Sequence, residues 1–326
     1  MREKSVITGT GSYLPDKILT NKDLEKIVDT SDEWIQQRTG IRERRIADET
    51  QTTAHMGTRA AIKALEAAGI KGEDIDGIIV ATSTPDTTFP SVAVHIQTAI
   101  SAGFGPMFDV QAVCSGFVYA LSIADSMLQA GHGTRFLVVG SEKFSNILNW
   151  NDRSTCVLFG DGAGAVVLER QQSDTKTSLE ASGIHSTHLH ANGQLKEILY
   201  TDGGVATTKH AGHIVMNGRE VFRHAVDLMA EVVNETLAYN NIKADDIDWL
   251  IPHQANIRII ESTRKKLRLP EDKVVITVHE HGNTSAASIP LALDKAVRDG
   301  RVKKGDLLLL EALGAGLTWG SALIRY

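Results

Sequence analysis

The sequence predicts an α/β protein made of two similar halves. Three observations predict it: helical and buried-strand periodicities alternate along the chain, the wording of that alternation recurs, and the composition is that of a well-packed globular protein. Hydrophobic residues make up 42% and charged residues 23% of 326 positions, far from the polar balance that leaves chains unfolded. Thr53 to Ala68 sets Met56, Ala60, Ala61, Ala64, Leu65 and Ala68 on one helical face, and Gly69 stops it. Ile75-Asp76-Gly77-Ile78-Ile79-Val80 then reads as a buried strand. The same order returns in a helix from Val221 to Leu237, closed by Asn240-Asn241, and a strand Ile247-Asp248-Trp249-Leu250-Ile251.

Ile70-Lys71-Gly72-Glu73-Asp74-Ile75-Asp76 aligns with Ile242-Lys243-Ala244-Asp245-Asp246-Ile247-Asp248. Gly133-Thr134-Arg135-Phe136-Leu137-Val138-Val139 aligns with Gly305-Asp306-Leu307-Leu308-Leu309-Leu310-Glu311 in the same register. One register across two landmarks argues for duplication about a pseudo-twofold axis, with largely parallel or mixed sheets covered by helices. Gly164-Ala165-Val166-Val167-Leu168-Glu169 matches Gly320-Ser321-Ala322-Leu323-Ile324-Arg325 at a smaller offset, which implies a loop insertion near 141–160 in the first half. Elaborated loops carry binding more often than scaffold. The polar run Arg170-Gln171-Gln172-Ser173-Asp174-Thr175-Lys176 is the expected boundary, giving halves 1–174 and 175–326.

The formal net charge is −6, from 34 basic and 40 acidic side chains, so no summed positive field draws the chain to nucleic acid or anionic lipid. The start, MREKSVITGTGSYLP, lacks the apolar core of a signal peptide, and no apolar run approaches a bilayer span, so the expected location is cytoplasmic. Two cysteines, Cys114 and Cys156, are too few for a disulfide framework and are expected as thiols.

Cys114 follows the strand-like Phe108-Asp109-Val110 and precedes a helix bearing Phe117, Leu121, Ala124 and Leu128, which puts its sulfur at a strand-to-helix turn. There the helix macrodipole is expected to favour the nucleophilic thiolate, and Ser115-Gly116 leaves room for a substrate carbonyl. A lone cysteine is more often a small core residue; the turn and its small neighbours argue for a nucleophile. Cys156 lies in an apolar strand pattern and reads as core or pocket wall. His185, His188 and His190 form a polar, loop-like stretch that reads as solvated. His279-Glu280-His281 fails HExxH spacing and reads as strand, so no metal site is expected. His253, after Leu250-Ile251-Pro252, stands at the carboxyl end of a core strand, where open α/β sheets place ligands. The repeat sets Asn283, in His281-Gly282-Asn283-Thr284-Ser285, opposite the Cys114 turn. Gly9-Thr10-Gly11 and Gly160-Asp161-Gly162-Ala163-Gly164 complete no nucleotide fingerprint and read as tight turns. Gly314-Ala315-Gly316 is a third turn, able to offer a backbone N–H to an oxyanion.

Taken in order, Ala112-Val113-Cys114-Ser115-Gly116, Pro252-His253-Gln254-Ala255-Asn256, Gly282-Asn283-Thr284-Ser285-Ala286-Ala287-Ser288 and Gly314-Ala315-Gly316-Leu317-Thr318-Trp319-Gly320 resemble the β-ketoacyl-acyl-carrier-protein synthase III family, the initiating condensing enzymes of dissociated fatty-acid synthesis. The likeness spans nearly the whole chain. It implies a thiolase fold with five layers, α-β-α-β-α, and a homodimer. It also implies Cys114 as acyl acceptor, His253 and Asn283 at the decarboxylation site, and the N–H groups of Cys114 and Ala315 as oxyanion donors, Ala315 replacing a glycine of other members. Trp34, Arg38 and Arg153 would contact coenzyme A, Phe89 would line the acyl pocket, and Arg258 would dock acyl carrier protein. Elongating relatives use two histidines, whereas Asn283 stands at the third position here. The implied reaction joins an acyl-CoA starter, acetyl-CoA above all, to malonyl-acyl-carrier-protein, with no metal or redox cofactor. Two readings compete: a Cys-His-Asn hydrolase, which the repeat and the flanking motifs disfavour, and a non-catalytic scaffold, which would leave three filled catalytic positions without a purpose. The same resemblance also admits a related condensing enzyme of secondary metabolism.

Overall fold

The computed structural model describes residues 2–173 and 179–326. The expected boundary between halves, at 174/175, falls outside the described residues.

The first half opens with strand β1 (Arg2–Tyr13), followed by β2 (Ile18–Thr20), short helix α1 (Asn21–Leu24), α2 (Asp32–Thr39) and β3 (Glu43–Arg45). Then come α3 (Thr53–Ala68), β4 (Gly77–Ala81), α4 (Val92–Ile100), β5 (Met107–Val110), α5 (Gly116–Gln129), β6 (Arg135–Lys143) and β7 (Asp161–Ser173). The second half runs β8 (Gly183–Ala191), β9 (Leu199–Thr201), β10 (Ile214–Met216), α6 (Gly218–Asn240), β11 (Trp249–Pro252), α7 (Ile257–Leu267), α8 (Val278–His281), α9 (Ser288–Arg298), β12 (Leu307–Gly314) and β13 (Thr318–Arg325).

Two mixed sheets carry the duplication. One is ordered β1-β7-β6-β4-β5, with β5, β4 and β6 parallel and the pairings of β7 antiparallel; the other is ordered β8-β13-β12-β11, with β11 and β12 parallel and the pairings of β13 antiparallel. The helices that precede the repeated strands end alike, α3 on Gly69 and α6 on Asn241, both in the left-handed conformation that closes helices. Lys71 and Lys243 then open matching 3₁₀ turns, with Asp74 and Asp246 accepting their backbone N–H groups.

Side chains alternate across each strand, so both faces of both sheets are apolar and need cover. Ile79 and Val138 of the first sheet meet Leu308, Leu310 and Ile324 of the second through Ala120, Leu121 and Leu128 of α5 and Ala292 and Leu293 of α9, all buried. On the far face of the first sheet, Ile78, Val80 and Val167 pack under Met56, Ala60 and Ala64 of α3 and Ile96 of α4. On the far face of the second, Leu250, Leu309 and Leu323 pack under Val233 and Leu237 of α6 and Ile260 of α7. Helix, sheet, paired helices, sheet, helix: the five layers result. Each such Leu, Ile, Val or Met side chain, taken fully from water, contributes about 1.5–3 kcal/mol.

Gly9 and Gly11 are not in a turn. They lie inside β1, where a side chain would strike the backbone of α3 at Ala64 and Ala60, so the glycines let helix and sheet close up. The segment from Gly160 likewise feeds directly into β7. Residues 144–160 join β6 to β7, whereas residues 315–317 join β12 to β13. No helix among the described residues is long and apolar enough to cross a membrane.

Candidate active site

From β5 the chain enters a 3₁₀ turn, Val113–Ser115, and then α5. Val113 has φ +47°, a conformation that a β-branched residue adopts at a cost of about 1–3 kcal/mol. Its neighbours hold the turn. The Ser115 hydroxyl donates to Ala112 O at 2.8 Å, and Thr318 Oγ1 lies 2.8 Å from Ser115 Oγ, 3.0 Å from Ala112 O and 3.1 Å from Ala315 O. Thr318 thereby pins the Gly314-Ala315-Gly316 turn beside Cys114. Gly314 permits this approach, since a β-carbon there would lie 2.7 Å from Ala112 O and 2.8 Å from Cys114 N.

Cys114 is 5% exposed, and the macrodipole expectation fails for its resting thiol. Burial pushes it up to about 12; a hydrogen bond from Ser285 opposes that, and the charge of Glu142 adds to it. Desolvation outweighs the dipole because α5 starts two residues after Cys114, while the sulfur itself is shut from water.

His253 follows β11, its N–H donating to Glu311 O at 2.8 Å. Burial lowers the imidazole to about 3, so it is neutral near pH 7. Ser288 Oγ sits 2.7 Å from Nδ1 and also receives the Gln254 N–H at 3.4 Å. That arrangement directs the serine proton at Nδ1 and favours the tautomer whose hydrogen is on Nε2. Gln254 locks the loop, donating to Pro252 O and Val275 O and accepting from the N–H groups of Thr277 and Val278. Asn283 is anchored through its backbone to Leu158 and Gly160, and its Oδ1 accepts the Ser285 N–H at 2.9 Å, which leaves its NH₂ as the group to offer a ligand.

Cys114, His253 and Asn283 line one cavity of about 530 Å³. Phe159, Leu199 and Met216 form part of its apolar wall, and Trp34, Arg38, Arg219 and Arg258 also line it. The four arginines Arg38, Arg153, Arg219 and Arg258 are exposed, whereas Cys114, His253 and Asn283 are buried. The guanidinium groups of Arg38 and Arg153 lie 5.0 Å and 5.2 Å from the centre of the Trp34 ring, and that of Arg258 lies 5.3 Å from the Phe222 ring. The cavity thus runs from a basic, aromatic mouth to a buried thiol and two neutral hydrogen-bond donors. It fits a thin ligand with an anionic, ring-bearing end and a neutral reactive end.

Phe89 stands elsewhere. It is 83% exposed on the loop after β4 and lines no part of this cavity, whose aromatic lining is Trp34, Phe159 and Phe222. Cys156 is fully buried in the core beneath α6 and α7, in a run of turns and not a strand. His188 and His190 belong to β8 and are held by Glu235 of α6 at 3.2 Å and 2.6 Å, so they are not loop residues. His279 and His281 sit in α8, where the Asn283 turn begins. Sequence reasoning passed over Glu142, Ser285, Ser288 and Thr318, which hold the site residues in place.

Family models described as 3-oxoacyl-[acyl-carrier-protein] synthase III and as its C-terminal part match residues 108–193 and 237–326. A β-ketoacyl-[acyl-carrier-protein] synthase III from Paramagnetospirillum magneticum is 59% identical over 99% of both chains, and one from Allorhizobium ampelinum is 56% identical over 99% of both. Among solved structures, the 3-oxoacyl-[acyl-carrier-protein] synthase III of Aquifex aeolicus superposes with TM-score 0.91 at 50% identity, covering 99% of this chain and 100% of that one. The priming β-ketosynthase of the R1128 polyketide pathway superposes with TM-score 0.91 at 36% identity, covering 99% and 96%.

Proposed function

Because the chain belongs to the 3-oxoacyl-[acyl-carrier-protein] synthase III family, we propose that it initiates fatty-acid synthesis by a decarboxylative Claisen condensation of an acyl-CoA starter, acetyl-CoA first, with malonyl-acyl-carrier-protein. The observation that carries the site assignment is the convergence of Cys114, His253 and Asn283, from three distant stretches, on one cavity.

Trp34 and the arginines around it receive the nucleotide end of coenzyme A, and the pantetheine arm runs inward to the sulfur of Cys114. Once deprotonated, that sulfur attacks the thioester carbonyl. The backbone N–H groups of Cys114 and Ala315, pinned together by Thr318, hold the oxyanion. Coenzyme A leaves as its thiolate, which takes a proton from solvent. Carrier protein docks at Arg258 and delivers a malonyl thioester by the same route. As CO₂ departs, negative charge develops on the thioester oxygen, and His253 Nε2–H and Asn283 NH₂ stabilise it without adding charge of their own. The enolate carbon attacks the acyl-cysteine and the Cys114 thiolate is expelled. Each step exchanges one thioester for another or is driven by CO₂ release, so the chemistry calls on no metal or redox group. The enzyme works in the cytoplasm as a homodimer. Phe89, between β4 and α4, and Phe104, just before the edge strand β5, are both exposed and are the apolar rings such a dimer would cover; Phe89 is available to a neighbouring chain and not to its own Cys114.

Likeness to a polyketide priming synthase supports a second reading, in which the same chemistry loads a starter for secondary metabolism. Intact-mass spectrometry after incubation with a panel of acyl-CoAs tests both. Acetyl-CoA should add one acetyl group at Cys114, and a preference for longer or branched acyl groups favours the second reading. No acylation of Cys114 by any acyl-CoA overturns the proposal.

A further inference from the structure

Glu142 is fully buried near the end of β6, and the condensation described above makes no use of it. Its Oε2 accepts from Thr82 Oγ1 at 3.2 Å, Ser83 N–H at 3.0 Å and Thr84 Oγ1 at 2.7 Å. Its Oε1 accepts from Ser285 Oγ at 3.0 Å, and Ser285 is also the hydroxyl that counters the effect of burial on the Cys114 thiol. The Ser285 hydroxyl therefore stands between sulfur and carboxylate, on the turn that packs against the Cys114 turn.

Among the described residues, the groups packed around this path supply no neutralising charge. Lys143, next on β6, points to the opposite face and donates to Asp48 O at 2.5 Å. Asp161 of β7, paired with Lys143, turns its carboxylate to Ser145 and the Ala47 N–H. From the turn after β4 come the hydroxyl and N–H groups of Thr82, Ser83 and Thr84, and His253, beyond β11, is neutral. Burial raises the Glu142 carboxyl to about 7, within reach of physiological pH. Two anions in such a space repel strongly, and the second ionisation of a coupled pair is pushed far above the first.

We propose that Cys114 and Glu142 hold one negative charge between them, exchanged as a single proton through the Ser285 hydroxyl. In the exchange the Sγ–H bond breaks as Ser285 Oγ takes its proton, and the serine's former proton forms the Oε1–H bond. Thiol plus carboxylate becomes thiolate plus carboxylic acid, with no change in oxidation state. Glu142 keeps the proton while Cys114 is acylated. It returns the proton along the same path when condensation expels the thiolate, so each turnover ends with both groups as they began. Glu142 is a positioning and proton-holding residue; it does not touch substrate. The inference deepens the reading of Cys114 as nucleophile and rests on it.

The test is the rate of Cys114 alkylation by iodoacetamide on the full chain from pH 5.5 to 9.5, followed by mass spectrometry with peptide mapping to separate Cys156. The reactive form, thiolate beside carboxylic acid, grows with pH only until the pair has lost its first proton. The parent rate should rise about tenfold per pH unit to roughly pH 7 and then stay level to about pH 9. Glu142→Gln carries no charge to share, so from a similar rate near pH 6 it should keep climbing, reaching about 100-fold above the parent at pH 9. Glu142→Asp should restore the levelling. An unbroken rise in the parent, or levelling at the same pH in Glu142→Gln, overturns the inference. Should Glu142→Gln lose its circular-dichroism signature of folding, the parent curve alone decides. The reagent carries no thioester, so failure here is distinct from failure of acyl-CoA to label Cys114.

Discussion

The two halves fold alike and are chemically unlike. Each places a 3₁₀ turn ahead of its central helix, Val113–Ser115 and Ser285–Ala287, and each turn begins with a residue in the left-handed region, Val113 at +47° and Ser285 at +49°. In the shared register Cys114 corresponds to Ala286, His253 to Ala81, Glu142 to Gly314 and Glu311 to Val139. Duplication thus supplied one strained turn twice, and the side chains then divided the work. The nucleophile sits on one turn and the polar support on the other. The strand ends cross over to serve them: Gly314 of the second half packs on the Cys114 turn, while Glu142 of the first half bonds Ser285 on the opposite turn. A pseudo-symmetric backbone brings the parts together, and only their asymmetry makes a reaction.

The sharpest way to break the comparison is to move the nucleophile to its symmetry mate. Cys114→Ala should abolish acylation by acetyl-CoA, a loss of about 10⁵-fold or more. Adding Ala286→Cys should not restore it, because Ala286 has no counterpart of the Thr318 pin or of the Cys114 and Ala315 N–H pair. Intact mass after incubation with acetyl-CoA reads both, and acetylation at position 286 would show the two turns to be interchangeable.

Asn283→Asp separates the two half-reactions. An anion beside the developing enolate should slow condensation about 10³-fold. Acetylation of Cys114 should remain within about tenfold of the parent, since that step uses the N–H groups of the other turn. Single-turnover acetyl transfer and malonyl-dependent product formation, measured side by side, check the split; equal losses in both would place Asn283 in acylation too.

Gly314→Ala probes the crossed support from the first turn's side. A β-carbon within 2.8 Å of Cys114 N must push the turn away, so acylation should fall about 100-fold, as for loss of one oxyanion donor. Thermal unfolding should shift little, because the displaced segment is one turn and not the core. A variant with the parent's acylation rate would mean that the Cys114 turn tolerates movement.

The repeated scaffold is legible in the sequence because apolar spacing and the landmark glycines and asparagines report backbone needs directly. Gly69, Asn241 and the matching Lys-to-Asp turns were all written in local pattern. Cys114 was readable because it stands where a strand turns into a helix, and His253 because it follows a buried strand. Glu142 was not: a glutamate before a lysine at the end of an apolar run looks like the point where a strand meets water, and only the 285 turn of the other half makes it interior. The protonation of Cys114 was misread for a related reason, since helix position is local whereas desolvation is set by the whole fold. The glycines of β1 looked like turn formers because nothing local announces that α3 presses on them. His188 and His190 looked solvated because their partner, Glu235, lies on another element.

Glu311 offers the mildest break in the symmetry, one of stability and not of chemistry. Among the described residues its two carboxylate oxygens are buried without a hydrogen-bond partner, where the first half has the apolar Val139. Burial raises its carboxyl from 4.5 to about 8, so the folded state favours the neutral acid. A group raised in this way stabilises the fold fully below its unfolded value, and that contribution is lost as pH rises from about 4.5 through about 8. Glu311→Val has nothing to ionise. Urea denaturation should therefore find the stability of the variant gaining on the parent by about 2 kcal/mol between pH 5 and pH 7, whatever offset the smaller side chain introduces at pH 5. A difference that stays constant with pH would mean that Glu311 ionises as readily folded as unfolded, and that the second sheet hides a partner for it.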